Sequence, residues 1–461
     1  MNSYAQSIYD HSPVFLQNIA VSLYGWQMRR LRYGGRFSRT LDWLDESQWW
    51  TKDRIVAFQN EELQKLAKHA YSTVPYYRRI FDERGLTPGD IRSREDLEKL
   101  PILTKEDIRN HLDELISDAY QRKDLVEEHT SGTTGKSLHF YNPPDAIQFK
   151  WAVWWRHKKC FGVNFDAPHA LFTGKIAVPL DQNKPPFWRE NFAMNQTVFP
   201  MQHITPDKVE SIVNRLNRGQ YIYYTGYPSI IYILAERIDS QGYTIKNPPK
   251  IIFTGAETLY ENQRQLISRV FKAPVTDQYG FTEGCGNASR CKHDLFHEDF
   301  EFGILECLDP VQISQSERSG RIVATGFSNY GMPFIRYDVG DTAIWQDTKC
   351  ECGRKSTIIK QIEGRVEDYV ITPENRKISR FDYIFKDTPG IKEAQIVQKE
   401  RGSIIIRILP RDDFSPDTES IIKEEIRKRI SSTLAVAFVY VDSIPREPSG
   451  KFRAVISELD M

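Results

Sequence analysis

Between residues 170 and 280, short apolar runs alternate with helical stretches, and this alternation constrains the fold more than any other feature of the chain. Residues 170–172, 221–225 and 250–254 are apolar runs of strand length, whereas 206–217 and 229–240 repeat apolar residues at helical spacing. Strands separated by helices tend to pair in parallel, because the helix carries the chain back to the starting end of the sheet. The expected fold is therefore α/β: a large N-terminal domain of mixed and mostly parallel sheets with helices, plus a β-rich subdomain over 320–347. After Gly364 the pattern changes to a hairpin around Arg401–Gly402, a helix over 417–430, and an apolar run over 434–441 that reads as a buried strand. The division placed there gives a large domain over 1–364 and a small, mobile α+β domain over 365–461.

Composition excludes several functions. The 461 residues suffice for more than one core, and 40% hydrophobic with 27% charged residues is globular composition. Lys plus Arg equals Asp plus Glu at 62 each, so the whole molecule offers no cationic field for nucleic acid. No apolar run approaches the roughly 18 residues of a membrane span. The N-terminus does not read as a secretory leader, and six cysteines are too few for a disulfide scaffold. A cytoplasmic protein with reduced thiols is expected; no feature fixes an oligomeric state. One segment is asymmetric. From His11 to Leu41 there is no acidic residue, but there are five arginines: Arg29, Arg30, Arg32, Arg36 and Arg39. Phe15, Leu16, Ile19, Leu23 and Trp26 recur there at helical spacing. A helix docked on the main core is the preferred reading, and peripheral contact with an anionic membrane surface is the alternative.

The loop Thr130-Ser131-Gly132-Thr133-Thr134-Gly135-Lys136-Ser137 suits a polyphosphate, with two glycines to turn the backbone, several hydroxyls and a lysine. A Walker A loop would need glycine where Thr130 stands, which disfavours that class. Further motifs follow in order: Thr254-Gly255-Ala256-Glu257, Asp277 to Gly284 (DQYGFTEG), Arg336 to Asp341 (RYDVGD), Gly364 to Asp368 (GRVED) and Pro448-Ser449-Gly450-Lys451. This ordered set resembles the adenylate-forming superfamily, and most closely its phenylacetate–CoA ligase branch and relatives from capsule-biosynthesis clusters. HAYSTVPYYRRIF and LEKLPILTKEDIR carry the same resemblance near the N-terminus.

The resemblance implies an AMP-forming acid ligase that uses ATP and Mg²⁺ to make an acyl adenylate, then transfers the acyl group, with coenzyme A the preferred acceptor. It assigns the β- and γ-phosphates to Ser131–Lys136, the α-phosphate to Thr282, Mg²⁺ to Glu283, and the ribose hydroxyls to Asp341. Tyr279 and Gly280 would flank the adenine, and Gly255, Ala256 and Glu257 would shape the base and acyl pockets. Tyr224, Gly226 and Tyr227 would form acyl-pocket walls. Arg365 would steady the nucleotide, Glu367 would be the hinge, and Lys451 would bridge the acyl carboxylate and the α-phosphate. The hinge is usually aspartate or lysine in this family. The ligase branch also places a glycine soon after it, whereas this chain has none between Gly364 and Gly390. Transfer to an amine or hydroxyl, as in surface-polysaccharide assembly, is therefore the rival reading, and a catalytically silent, zinc-stabilised binding protein is the third. Cys291, His297, Cys350 and Cys352 form a Cys₃His set suited to a closed, structural Zn²⁺ site, with His293 as the substitute ligand; relatives in the branch often show a similar pattern.

Overall fold

The computed structural model describes residues 3–129, 138–365, 370–373, 377–378, 382–385, 388, 390–412, 414–446 and 452–459. Its helices are α1 (Ser3–His11), α2 (Val14–Tyr33), α3 (Phe37–Ser47), α4 (Lys52–Thr73), α5 (Pro75–Glu83), α6 (Lys105–Asn110), α7 (Pro144–Cys160), α8 (Val209–Arg218), α9 (Pro228–Ser240), α10 (Glu261–Phe271), α11 (Asp382–Phe385) and α12 (Pro416–Arg429). The strands begin with β1 (Val126–His129), β2 (His139–Asn142), β3 (His169–Thr173), β4 (Arg189–Asn191), β5 (Gln196–Pro200), β6 (Tyr223–Gly226), β7 (Ile251–Gly255) and β8 (Val275–Gly280). They continue with β9 (Asn287–Arg290), β10 (Phe296–Glu298), β11 (Gly303–Gln312), β12 (Glu317–Gly326), β13 (Tyr337–Gln346) and β14 (Ile358–Arg365). The last six are β15 (Val370–Ile371), β16 (Lys377–Ile378), β17 (Ile391–Gln398), β18 (Ser403–Pro410), β19 (Ala435–Tyr440) and β20 (Val455–Ser457).

The fold is mixed α/β. Twelve strands form one sheet in the order β11-β12-β13-β14-β10-β9-β8-β7-β6-β3-β5-β4. Pairing is parallel from β8 through β7, β6 and β3 to β5, where the apolar runs alternate with helices, and antiparallel elsewhere. Because side chains alternate faces along a strand, neighbours enter different cores. Tyr223 and Phe253 pack against α3 and α7, whereas Tyr224 and Ile252 pack against α8, α9 and α10. A third core joins α4 and α5 to the antiparallel half of the sheet, around Leu66, Phe81, Tyr337 and Trp345.

Beyond Arg365 the described strands β19-β18-β17-β20 form a separate sheet whose isoleucines (Ile404, Ile406, Ile408) pack on Ile422 and Ile426 of α12. Of the run 434–441 only Leu434 is fully buried. β19 is the edge strand of this sheet, and Val439 and Tyr440 are 43% and 47% exposed, because only one flank and one face have neighbours.

Two helices bear on function. α7 is pinned by Arg156, fully buried, which donates to Glu301 at 2.7 Å and to Asp299; Ser47 of α3 also donates to Glu301. A charge this deep is tolerable only when paired on both sides. The second helix, α2, docks on its polar and small side. Asn18 Oδ1 and Ser22 Oγ accept from the backbone N–H groups of Glu190 and Phe192 at 3.0 Å each, which covers the free edge of β4. Gly25 permits the approach, since a Cβ there would stand 2.1 Å from Asn191 Oδ1. The apolar residues expected to seat the helix therefore lie outside. No helix among the described residues is long and apolar enough to cross a membrane.

Candidate active site

The parallel strands β7 and β8 end at one rim of the large sheet, and the motif residues follow them directly. They wall a cavity of about 1180 Å³. Tyr279, Gly280, Thr282, Glu283, Ala256, Glu257 and Asp341 all line it, and residues of the C-terminal unit, including Lys392 and Phe452, close its other side. A crevice at the carboxyl ends of parallel strands is where α/β folds bind ligands.

Within this wall the acids are held by tyrosines. The Tyr279 hydroxyl donates to Asp341 Oδ2 at 2.7 Å, and the Tyr337 hydroxyl donates to Glu283 Oε1 at 2.7 Å. Burial pushes the Tyr279 phenol well up, and the Asp341 carboxylate beside it adds to the shift, so this tyrosine stays a donor. Asp341 stands opposite Arg365 in the β13–β14 ladder. Lys150 of α7 donates to Glu128 Oε2 at 3.1 Å and to the Thr282 carbonyl at 3.2 Å, linking β1 to the turn after β8. β1 and β2 pair from Val126↔Asn142 to His129↔His139, so they bracket the 130–137 loop. That loop lies outside the described residues, and with it Ser131, Gly132, Thr133, Thr134, Gly135 and Lys136. Glu367 and Lys451 lie outside them too.

Tyr224, Gly226 and Tyr227 do not line this cavity. Tyr224 is fully buried against Phe172 and Phe271 in the core, because its register on β6 turns it to the α9–α10 side. Gly226 serves packing: a Cβ there would meet the Phe172 carbonyl at 2.4 Å. Tyr227 precedes α9 and packs, half-buried, on the same core. The apolar part of the cavity lining is Ile147, Trp151 and Trp154 of α7, with Met28 and Leu31 of α2. Arg32 lies 4.1 Å over the Trp151 ring. Helical spacing between 150 and 154 is the signal that could have found this face; the aromatic content of α7 is otherwise read as core. Ala256 holds a left-handed φ of 66°, a conformation costing a non-glycine residue about 1 kcal/mol or more.

Glu257 has an unexpected role. It reaches two elements at once, accepting from Ser229 N and Oγ at 3.2 and 3.1 Å and from the Phe452 backbone N–H at 2.8 Å. Burial pushes its carboxyl up, opposed by these hydrogen bonds. Phe452 follows Lys451 directly, so Glu257 fixes the residue beside the lysine.

A second cluster joins the turn after β9 to the connection between β13 and β14. The donor atoms of Cys291, His297, Cys350 and Cys352 all lie within 4.8 Å of one another. Cys291 and Cys350 sulfurs are 3.7 Å apart, and Cys352 Sγ is 3.3 Å from His297 Nε2. Tetrahedral Zn²⁺ would require about 3.8 Å between sulfurs and about 3.6 Å from sulfur to nitrogen, so the donor set fits that ion. The backbone N–H groups of His293 and Cys352 point to Cys291 and Cys350 sulfurs, as suits thiolates. His293 itself is near Glu351, half-exposed, outside the cluster.

The geometry can be set beside known proteins. The family model of the CapK C-terminal domain matches residues 370–458, a span that takes in β15 to β20. Protein CapK of Staphylococcus aureus is 27% identical over 462 residues, covering 98% of this chain and 99% of that one. A phenylacetate-coenzyme A ligase of Thermus thermophilus is 24% identical over 447 residues, 88% of this chain and 97% of that one. The chain is a relative of CapK and of the phenylacetate–CoA ligases. Its fold is that of the adenylate-forming ligases: 2-hydroxyisobutyryl-CoA ligase, in the postadenylation state with R3-HIB-AMP, matches with a TM-score of 0.70 at 18% identity, over 89% of this chain and 91% of that one.

Proposed function

We propose that this chain activates a carboxylic acid as its acyl adenylate and passes the acyl group to coenzyme A. One observation carries the reading: a single cavity is walled by Tyr279, Thr282, Glu283 and Asp341 on one side and by Phe452, next to Lys451, on the other. A carboxylate oxygen of the acid attacks the α-phosphorus of ATP, the bond to the bridging oxygen breaks, and pyrophosphate leaves with its electron pair. Such a step needs positioning and charge neutralisation rather than a protein nucleophile. Lys451 neutralises charge between the carboxylate and the α-phosphate, Thr282 contacts the α-phosphate, and Ser131–Lys136 hold the β- and γ-phosphates.

Asp341, oriented by Tyr279, accepts the ribose hydroxyls, and Arg365 opposite it steadies the nucleotide. Glu283, with one oxygen fixed by Tyr337, would hold Mg²⁺, which on binding offsets phosphate charge. Trp151, Trp154, Met28 and Leu31 suit an aryl or other apolar acid. The small domain after Gly364 turns about Glu367 once the adenylate forms, because Lys451 must withdraw to admit the acceptor. The same reading places a structural Zn²⁺ at Cys291, His297, Cys350 and Cys352.

Glu257→Gln is expected to slow adenylation about tenfold, the effect of weakening a hydrogen bond to a charged acceptor. Because burial raises the wild-type carboxyl, acidification neutralises it sooner than an ordinary glutamate, and the rate falls on the acid side. The variant should lack that acid limb in a pH–rate profile.

The absence of glycine between Gly364 and Gly390 favours one rival, transfer to an amine or hydroxyl. With an acid that supports AMP release, consumption of coenzyme A thiol supports the ligase. AMP release with acylation of an amine and no thiol loss supports the rival.

A further inference from the structure

We infer that the outer face of α2 is a docking surface for an anionic lipid bilayer. Phe15, Ile19, Leu23 and Trp26 are 62%, 49%, 64% and 53% exposed, and Leu16 is exposed beside them. At 100° per residue, Phe15, Trp26, Ile19, Leu23 and Leu16 fall within one third of the helix circumference, and Arg30 falls among them. Solvent-exposed apolar stripes of this extent are uncommon on soluble proteins and mark interaction surfaces.

The stripe is not a fraying end. α2 is fixed along the side next to the stripe by Asn18, Ser22 and Gly25 on the β4 edge and by Arg29, which donates to both Asp166 oxygens at 2.6 and 3.0 Å. Rotating the helix to bury the stripe would strip those partners from the sheet edge. Phe192, 69% exposed, follows β4 immediately and bonds to Ser22, which extends the apolar surface beyond the helix.

Charge selects the occupant. From His11 to Leu41 there are five arginines and no acid, and Arg30 and Arg39 are exposed. Asp166 and Asp145 pair with Arg29 and Arg36, and Arg32 turns inward over Trp151, so the exposed cationic excess lies on Arg30 and Arg39. On the neighbouring 174–187 loop, exposed Asp181 is offset by exposed Lys175 and Lys184. A second copy meeting this face across a two-fold axis would bring arginine against arginine. A bilayer with anionic headgroups satisfies both features, taking the apolar side chains into the acyl boundary and the guanidinium groups among the phosphates. Trp26, apolar with a polar atom at the tip, suits that boundary.

The test is co-sedimentation of the full chain with vesicles of phosphatidylcholine and phosphatidylglycerol, with pure phosphatidylcholine vesicles as the neutral control. The wild type should pellet with the anionic vesicles and much less with the neutral ones, the difference shrinking at high salt. Ile19→Glu/Leu23→Glu should lower partitioning about tenfold or more, since each change removes several buried methylenes. Arg30→Gln/Arg39→Gln should lower it several-fold on anionic vesicles only. Both variants replace exposed residues, and unchanged thermal midpoints show that the fold is kept. Wild-type protein left in the supernatant, or binding indifferent to both variants, overturns the inference. So does a dimer in sedimentation velocity that Ile19→Glu/Leu23→Glu dissociates.

Discussion

Lys451→Ala is expected to lower carboxylate-dependent ATP–pyrophosphate exchange by a factor of about 10²–10³, the usual effect of losing one preorganised donor to developing charge. The residues around Lys451 explain why the loss should be specific. Arg446 pairs with Glu393, and its guanidinium lies 4.4 Å over the Phe452 ring. The Phe452 N–H in turn bonds to Glu257 on the cavity wall. These contacts hold Arg446 and Phe452 and involve no ammonium group at residue 451, so the variant should keep its thermal midpoint. Glu257→Gln displaces the lysine without removing it, which is why its expected effect is smaller. A Lys451→Ala protein that exchanges at the wild-type rate would remove the lysine from the mechanism.

Protein purified without chelator is expected to carry about one Zn²⁺ per chain, and removing it should destabilise the large sheet strongly. The four ligands join two connections and a strand: Cys291 follows β9, which pairs with β8 beside Tyr279, His297 is on β10, and Cys350 and Cys352 sit between β13, which carries Asp341, and β14. Loss of the ion should therefore reach the nucleotide residues as well as stability. A tight ion at about a thousandfold excess over its Kd contributes about 4 kcal/mol, which Cys350→Ser should forfeit. The pH dependence has a definite sign. Burial pushes the Cys352 thiol up to about 12, so binding must displace a proton, and retention weakens as pH falls. Burial holds His297 at about 4, so the imidazole stays neutral and able to ligate while the thiols take up protons. Elemental analysis gives the occupancy, and thermal unfolding with and without chelator gives the contribution. Metal-free protein that unfolds at the same temperature as the untreated sample would contradict a structural ion.

Much of this was legible in the chain itself. The alternation that implies β3, β6 and β7 depends only on local periodicity, and the motif residues after β7 inherit their position from it. The Cys₃His set was legible for another reason: its residue types have few other reasons to gather. What escaped depends on tertiary context. Tyr223 and Tyr224 are chemically identical, and only strand register sends one to the α7 side and the other into the α9–α10 core. The 434–441 run is apolar enough for a buried strand, yet edge position leaves it half-exposed. α2 shows the largest departure. Its apolar spacing reads as a docking face, but the hydrogen-bonding needs of the β4 edge recruit the adjoining side, with Asn18 and Ser22, and apolarity alone does not decide between the two. The motif around Glu257 is local, whereas its contact with Phe452, 195 residues away, depends on how the chain folds back on itself.

The central claim, that this chain makes acyl adenylates, is tested most directly by exchange of labelled pyrophosphate into ATP with a panel of carboxylic acids weighted toward aryl and apolar members. The account predicts exchange that requires both Mg²⁺ and one class of acid and is absent when the acid is omitted. Full-length, zinc-loaded protein that binds ATP but supports no acid-dependent exchange with any member would contradict it, and would leave a silent binding protein that has kept the ligase fold.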